Sequence, residues 1–424
     1  MRAPADILTI GFGTTVAMWA IGYLARLPVV LAPAPVVLVL LLVVLIGGGV
    51  VAGRWTGRGV LGGAAAGTVS GLLNLLVLGS FLSQRETPNA LLPSAGLWVP
   101  GAIVASALLG AVGAWAGSRA AVRREVDWTH AFARVAVAAT FLQLVAGGLV
   151  TSNRAGLAVV DWPNSYGYNM FLYPFARMTG GIYLEHAHRL LGTLLGLTTI
   201  TLAILLAVHD RRRWVKQLGL AAVVLVIVQG VLGGLRVTGK PTLSADPAVT
   251  EPNIYLAVAH GVLAPIFFAL IVTLAIVTVR AWRERREVTA SAERTLATLA
   301  LLLVVVQIAF GAIQRHLAQG LMLHVAMAFL VAANTISVGA RTWGLHGKDP
   351  VLRRAGLSVV HATILQFALG IGAWVVKSAA ESGALVEGWR VVVTTAHQGT
   401  GALLLATVVA LRLYLAKPGA PRSA

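Results

Sequence analysis

Four histidines, His188, His260, His324 and His397, sit in strongly apolar stretches and alternate with four glutamine–glycine pairs. Gln143 is followed by Gly147-Gly148, Gln229 by Gly233-Gly234, Gln307 by Gly311, and Gln366 by Gly370 and Gly372. The spacing repeats. His188 to Gln229 is 41 residues and His324 to Gln366 is 42, while Gln229 to His260 and Gln366 to His397 are both 31. The halves are therefore offset by 136 or 137 residues. Only the first interval differs, at 45 residues from Gln143 to His188 against 17 from Gln307 to His324, which gives the first half an outer loop longer by 28. A lone histidine on an apolar helix is more often a packed side chain than a ligand, but four in repeated register point to ligation. Imidazole is a common axial ligand of haem iron, and two on facing helices make the iron six-coordinate inside a bundle. The pattern predicts two haems, one between His188 and His260 and one between His324 and His397.

The halves differ chemically. Glu185-His186-Ala187-His188-Arg189 opens a helix in the first, whereas Gly320-Leu321-Met322-Leu323-His324 in the second has no acid. Glu185 and His188 are three apart and share a helix face. A carboxylate beside one haem only points to proton handling or catalysis there and electron transfer at the other. The bland alternative makes Glu185 a helix cap paired with Arg189 at i,i+4. Arg189 also suits a propionate contact through its planar fork. Gly192, Gly196, Gly230, Gly233, Gly399 and Gly401 either admit a flat macrocycle or simply pack helices. His130, His186, His209, His316, His346 and His361 lack a repeat-related partner and read as ordinary interfacial or packed residues, with a propionate contact open for His316.

These residues need membrane helices to hold them. The 424-residue chain is 58% hydrophobic and 11% charged, with a mean hydropathy of +0.83 and a net charge of +18. Soluble domains carry about a quarter charged residues. The absence of cysteine excludes disulfides, thiolate catalysis and iron–sulfur clusters. The composition predicts an all-α membrane protein with spans near 7–27, 33–52, 60–83, 96–118, 129–150, 184–208, 215–236, 255–280, 295–314, 321–341, 354–376 and 392–413, each long enough for a bilayer core of roughly 30 Å. A cleavable signal is not expected, since Met1–Asp6 runs straight into the first span. Of 33 Lys and Arg, Arg134 and Arg189 fall within spans and nine in outer loops: Arg26, Arg85, Arg154, Arg177, Arg236, Lys240, Arg315, Lys377 and Arg390. The other 22 lie inside if both termini are cytoplasmic, an asymmetry that fixes this orientation and puts the histidines near the outer face. The basic charge thus belongs to membrane loops, and nucleic acid is not an expected partner. Residues 1–125 form a four-helix extension, 126–290 a first four-helix bundle and 291–424 a second, so that eight helices make a duplicated core. In the extension Gly59, Gly63, Gly67 and Gly71 recur at every fourth position, the spacing of close helix contacts, and Asn74 is its one notable polar residue.

Gly147-Gly148-Leu149-Val150-Thr151-Ser152, Gly156-Leu157, Asp161-Trp162-Pro163 and Glu185-x-x-His188-Arg189-Leu190-Leu191-Gly192 resemble the haem A synthase family. Gln229-Gly230-x-Leu232-Gly233-Gly234 and the late histidines fit the same pattern, over about residues 128–416. The resemblance implies an oxidoreductase of the inner (cytoplasmic) membrane that oxidises the C8 methyl of haem O to the formyl of haem A for cytochrome oxidase assembly. It implies a substrate haem ligated by His188 and His260 with Glu185 essential, and a b-type haem ligated by His324 and His397 that relays electrons. Its implied partners are haem O, an unidentified electron donor, and a haem O synthase or the terminal oxidase under assembly. Two departures stand out. Many members flank the Trp-Pro segment with a cysteine pair, where this chain has Val159-Val160 and Asn164-Ser165, and the four N-terminal spans exceed the usual eight. Two rival readings are a dihaem cytochrome exchanging electrons with quinone, which leaves Glu185 and the long loop unexplained, and a transporter, whose polar residues would lie along a midplane path.

Overall fold

A computed structural model describes residues 4–84, 86–120, 122, 125–244, 246, 248–285, 288–382 and 387–415. Arg2, Arg123, Arg124, Arg286, Lys417 and Arg422 of the inner tally, and Arg85 of the outer one, lie outside the described residues. Among those described, twelve helices are long and apolar enough to cross a membrane: α1 (Ala5–Ala25), α2 (Ala34–Trp55), α3 (Gly59–Leu82), α4 (Ala95–Ser118), α5 (Trp128–Ser152), α6 (Gly180–His209), α7 (Arg213–Thr238), α8 (Ile254–Thr278), α9 (Ser291–Leu317), α10 (Leu321–Leu345), α11 (Pro350–Glu381) and α12 (Glu387–Leu415). No strand occurs among them, and the protein is an all-α, multi-pass membrane protein.

The helices start and stop where the sequence supplies the chemistry. The Asn253 side chain accepts from the Tyr255 and Leu256 amides at 3.0 and 3.1 Å and caps α8. Asp349 caps α11 in the same way, accepting from Val351 at 2.9 Å and Leu352 at 3.2 Å, with Pro350 in the first helical position. Several helices outrun the predicted spans. α11 begins at Pro350 and ends at Glu381, and α12 begins at Glu387. Apolar windows stop at charges such as Arg354, Lys377 and Arg390, whereas a helix satisfies its own backbone and runs past them. Arg236, Arg315, Lys377 and Arg390, read from sequence as loop residues, are therefore helical.

The chain forms two compact units, residues 1–150, 154–230 and 237–252 in the first and 151–153, 231–236 and 253–424 in the second. In the first, glycines let backbones touch. A Cβ on Gly63 or Gly67 would stand 2.3 Å from Gly110 O or 2.1 Å from Ser106 O on α4, and one on Gly53 of α2 2.1 Å from Ala114 O. Lipid offers no hydrophobic drive between spans, so such close van der Waals fits hold them together. Gly59 departs from the expected stripe, for a methyl there meets nothing within 4 Å. Asn74 accepts from Trp19 Nε1 at 2.9 Å, an internal tie between α3 and α1. The second unit closes around a core of Ala297, Ala300 and Val304 (α9), Val331 and Val338 (α10), Val359 (α11), and Leu405, Val408 and Leu411 (α12). A buried Thr363–Thr335 hydrogen bond of 3.0 Å ties α11 to α10.

Candidate functional site

Gln143 Nε2 lies 3.4 Å from His188 Nε2, but the shorter glutamine bonds go to the histidine backbone. Gln143 Nε2 donates to the backbone carbonyl of His188 at 3.1 Å, and Gln307 Nε2 to that of His324 at 2.9 Å. Gln366 Oε1 accepts from Thr400, one turn past His397. The glycine four residues after each glutamine then meets the imidazole edge. A Cβ there would approach Cε1 of His188 at 2.9 Å (Gly147), of His260 at 3.2 Å (Gly233), of His324 at 3.1 Å (Gly311) and of His397 at 3.1 Å (Gly370). The glycine contact thus occurs four times, and at Gln143 and Gln307 the glutamine also ties the histidine's backbone to the neighbouring helix.

His188 belongs to the first unit; His260, His324 and His397 belong to the second. The rings of His324 and His397 face each other with centres 6.4 Å apart, at 88°. Two imidazoles on one ion, at roughly 2 Å per metal–nitrogen bond, would have ring centres roughly 6–6.5 Å apart. Both Nδ1 atoms are buried without a hydrogen-bond partner. Gly399, two residues beyond His397, is buried, yet a methyl added there meets nothing within 4 Å. Facing imidazoles, an unpartnered nitrogen on each and space beside them fit a bis-imidazole haem. Gly196 and Gly230 are similarly open, whereas Gly192 and Gly401 each receive a glutamine amide, a Cβ there standing 3.2 Å from Gln143 and Gln366 Nε2. His316 faces α8 instead, its Nε2 3.6 Å from where a Gly261 Cβ would be.

In the first unit the loop between α5 and α6 folds onto α6. Glu185 is 2% exposed; its Oε2 accepts from Val159 N at 3.0 Å and its Oε1 from Arg189 Nη2 at 2.9 Å. Arg189 donates further to Val159 O (2.9 Å), Asp161 O (2.7 Å) and Asn164 O (3.0 Å). All four terminal guanidinium hydrogens thus have acceptors in the chain, which leaves Nε–H alone for any propionate. Asp161 is fully buried and accepts from Tyr166 N (2.6 Å) and Gly167 N (2.8 Å). Burial pushes the Tyr166 phenol above its usual pKa, Glu185 and Asp161 adding to the effect. The phenol donates to Ala158 O. His186, read as a bystander, bonds Ser165 Oγ through Nδ1 at 3.0 Å and packs on Tyr173, ring centres 5.1 Å apart. It anchors the loop.

The N-terminal helices brace the same loop. Asn89 Oδ1 accepts from Asn169 N at 2.6 Å, Phe81 stacks on Phe175 at 4.2 Å, and the Arg26 guanidinium lies over that ring 5.0 Å from its centre. Gly79 lets α3 come so close that a Cβ would stand 2.5 Å from Phe171 O. Tyr183 of α6 donates to Tyr23 O of α1 at 2.9 Å. The sequence signals are an acid and six aromatics in the loop between α5 and α6; their contacts are not legible from spacing.

The fold and site thus define an all-α integral membrane protein with histidines on its membrane-spanning helices and a carboxylate buried under the loop between α5 and α6. Residues 167–326 match the family model described as "Cytochrome oxidase assembly protein". The chain is 30% identical over 230 residues to "Heme A synthase" of Caulobacter sp. (strain K31), covering 52% of this chain and 61% of that relative's length. The chain therefore spans about three fifths of the length of that relative. The family-model match contains Glu185, His188, Arg189, His260 and His324, and stops before His397.

Proposed function

We propose that the protein is a haem A synthase, oxidising the C8 methyl of haem O to the formyl of haem A in the cytoplasmic membrane, with both termini inside and the haem sites near the outer face. The observation that carries the haem reading is the His324–His397 pair at 6.4 Å. When bound between them, a b-type haem would supply one-electron relay. The fourfold glycine–histidine contact supports the duplicated core, bundles 126–290 and 291–424, with the extension before them. By the repeat spacing, His188 and His260 ligate the substrate haem. Electrons come from a donor still to be identified, and haem O synthase or the terminal oxidase under assembly would supply substrate or receive product.

Glu185 is proposed as the catalytic group. Its carboxylate is withdrawn from bulk water and oriented by Arg189 and the Val159 amide, one turn before His188, where a proton acceptor or electrostatic stabiliser for methyl oxidation would be needed. A dihaem cytochrome has no use for an acid held in this way. Co-expression of Glu185→Gln with a haem O synthase, followed by chromatography of the extracted haems, tests the assignment. The expected result is normal bound haem b with haem A and hydroxylated haem O at least tenfold down. Full conversion by the variant would return Glu185 to a structural role, and no haem A from the wild-type chain under air would favour the electron-transfer reading.

A further inference from the structure

Two arginines in the second unit lie on the helix faces that carry the ligand geometry. Arg315 follows Gly311 by four residues on α9, one turn beyond the glycine on which the His324 ring rests. Arg390 precedes His397 by seven residues on α12, two turns along the same face, about 10 Å at 1.5 Å per residue. Ser152 ties the two ends together. Its Oγ accepts from Arg315 Nη2 at 2.8 Å and from Thr395 Oγ1 at 2.9 Å, lies 3.0 Å from Thr394 Oγ1, and its carbonyl accepts from Arg390 Nη2 at 2.7 Å. Both guanidinium groups therefore converge on one fully buried serine a turn from His397, at the Leu317 end of α9 and the Glu387 end of α12.

The charge there is unbalanced. Arg315 makes one hydrogen bond, to a neutral hydroxyl, and its Nε is buried with no acceptor. No carboxylate among the described residues comes within 4.0 Å of it. The side chain of Arg390 is 13% exposed and bonds Glu387, whose own side chain is 64% exposed and so holds it weakly. A buried guanidinium without an anion is costly, and two sharing one serine repel each other. A ligand bringing two carboxylates on one edge would relieve both. Guanidinium forks match carboxylates in geometry as well as charge.

Resting on the bis-imidazole reading above, we infer that Arg315 and Arg390 seat the two propionates of the porphyrin held by His324 and His397, fixing its rotation about the imidazole axis. The first half shows the contrast, since there Arg189 is engaged by three loop carbonyls and by Glu185 of its own helix.

The test is ligand binding by the full chain, produced haem-free in the His188→Ala/His260→Ala background so that only the second pair is read. Haem b and its dimethyl ester are titrated in parallel and followed by the bis-imidazole absorbance. The free acid is expected to bind roughly 10²-fold more tightly, as two charge-assisted contacts imply. Arg315→Gln and Arg390→Gln should each cut that preference roughly tenfold, and Arg315→Lys less. Equal affinity for acid and ester in the unsubstituted arginine chain overturns the assignment, as does a preference that survives both Gln substitutions. A merely structural arginine weakens both ligands alike and leaves the ratio intact. If a Gln variant fails to fold, the acid-to-ester ratio of its parent and of Arg315→Lys still decides. If the parent binds neither ligand, or His324→Ala changes nothing, the histidine reading itself has failed.

Discussion

Replacing Arg189 by lysine isolates what its guanidinium does. The side chain is 10% exposed and its four terminal hydrogens reach Glu185 Oε1 and the carbonyls of Val159, Asp161 and Asn164. Lysine keeps the charge but offers three donors from one point, which cannot span acceptors arranged around a fork. Losing two of the four bonds, each contributing about 1.5–2 kcal/mol, the lower part of the range for a bond with one charged partner, loosens the loop by about 3–4 kcal/mol. At 1.4 kcal/mol per factor of ten, that is roughly 10²–10³ in the opening equilibrium. Amide hydrogen exchange by mass spectrometry on the purified chain reads this directly. Peptides covering 159–168 include the Val159 amide on Glu185 and the Tyr166 and Gly167 amides on Asp161. They should exchange 10²–10³-fold faster in Arg189→Lys, with peptides from α9–α12 unchanged. Exchange within threefold of wild type would refute the clamp. Loss of haem with the loop still protected would restore the propionate contact read from the sequence.

Further outcomes follow from single contacts. Gly370→Ala and Gly311→Ala put a methyl 3.1 Å from an imidazole carbon, tighter than ordinary contact by a few tenths of an ångström; each should perturb the low-spin absorbance and lower haem retention several-fold, and an unchanged spectrum and retention in both would contradict the glycine–ring contact. Gly67→Val sets its side chain against Ser106 O, where a Cβ stands at 2.1 Å, and should lower the thermal midpoint through a loss of about 1–3 kcal/mol or more; an unchanged melting curve would contradict the α3–α4 packing. For Asp349, burial raises the pKa, but the Leu352 and Val351 amides and Arg285 outweigh it and hold the carboxyl below its usual range. Its contribution is therefore full above the unfolded pKa near 4 and is lost as pH falls through the lower folded value. Asp349→Asn keeps the cap and loses the charge, so it should be about 0.5–1 kcal/mol less stable at pH 7, and the difference should close below about pH 4.

Much of the fold was legible because membrane helices announce themselves by length and hydropathy, and all twelve spans appear as helices. Their ends were not, because a helix carries Arg315, Lys377 and Arg390 past the point where an apolar window stops. That error hid the arginine pair: counted as loop charges, the two residues contributed to orientation and were never compared with the faces of Gly311 and His397. The histidines were legible because repetition is visible in spacing alone. The loop was opaque, since Asp161, Ser165 and His186 act through backbone amides and one another, with no period to betray them. The extension's hold on that loop through Asn89, Phe81 and Gly79 depends on contacts some 80 to 95 residues apart in sequence, which no local pattern encodes.

The bond from glutamine amide to histidine carbonyl has a kinetic consequence. At Gln307 it locks the ligand's backbone to the neighbouring helix through the His324 carbonyl, the ring taking no part in the bond. A helix sliding by one turn would have to break it in a medium that offers no replacement donor. The ligand turns are thus registered before any iron arrives, and loading should entail little loss of chain entropy. Severing the pin, as in Gln307→Leu, should then appear first as slower haem uptake by the empty chain, with the spectrum of the filled site almost unchanged.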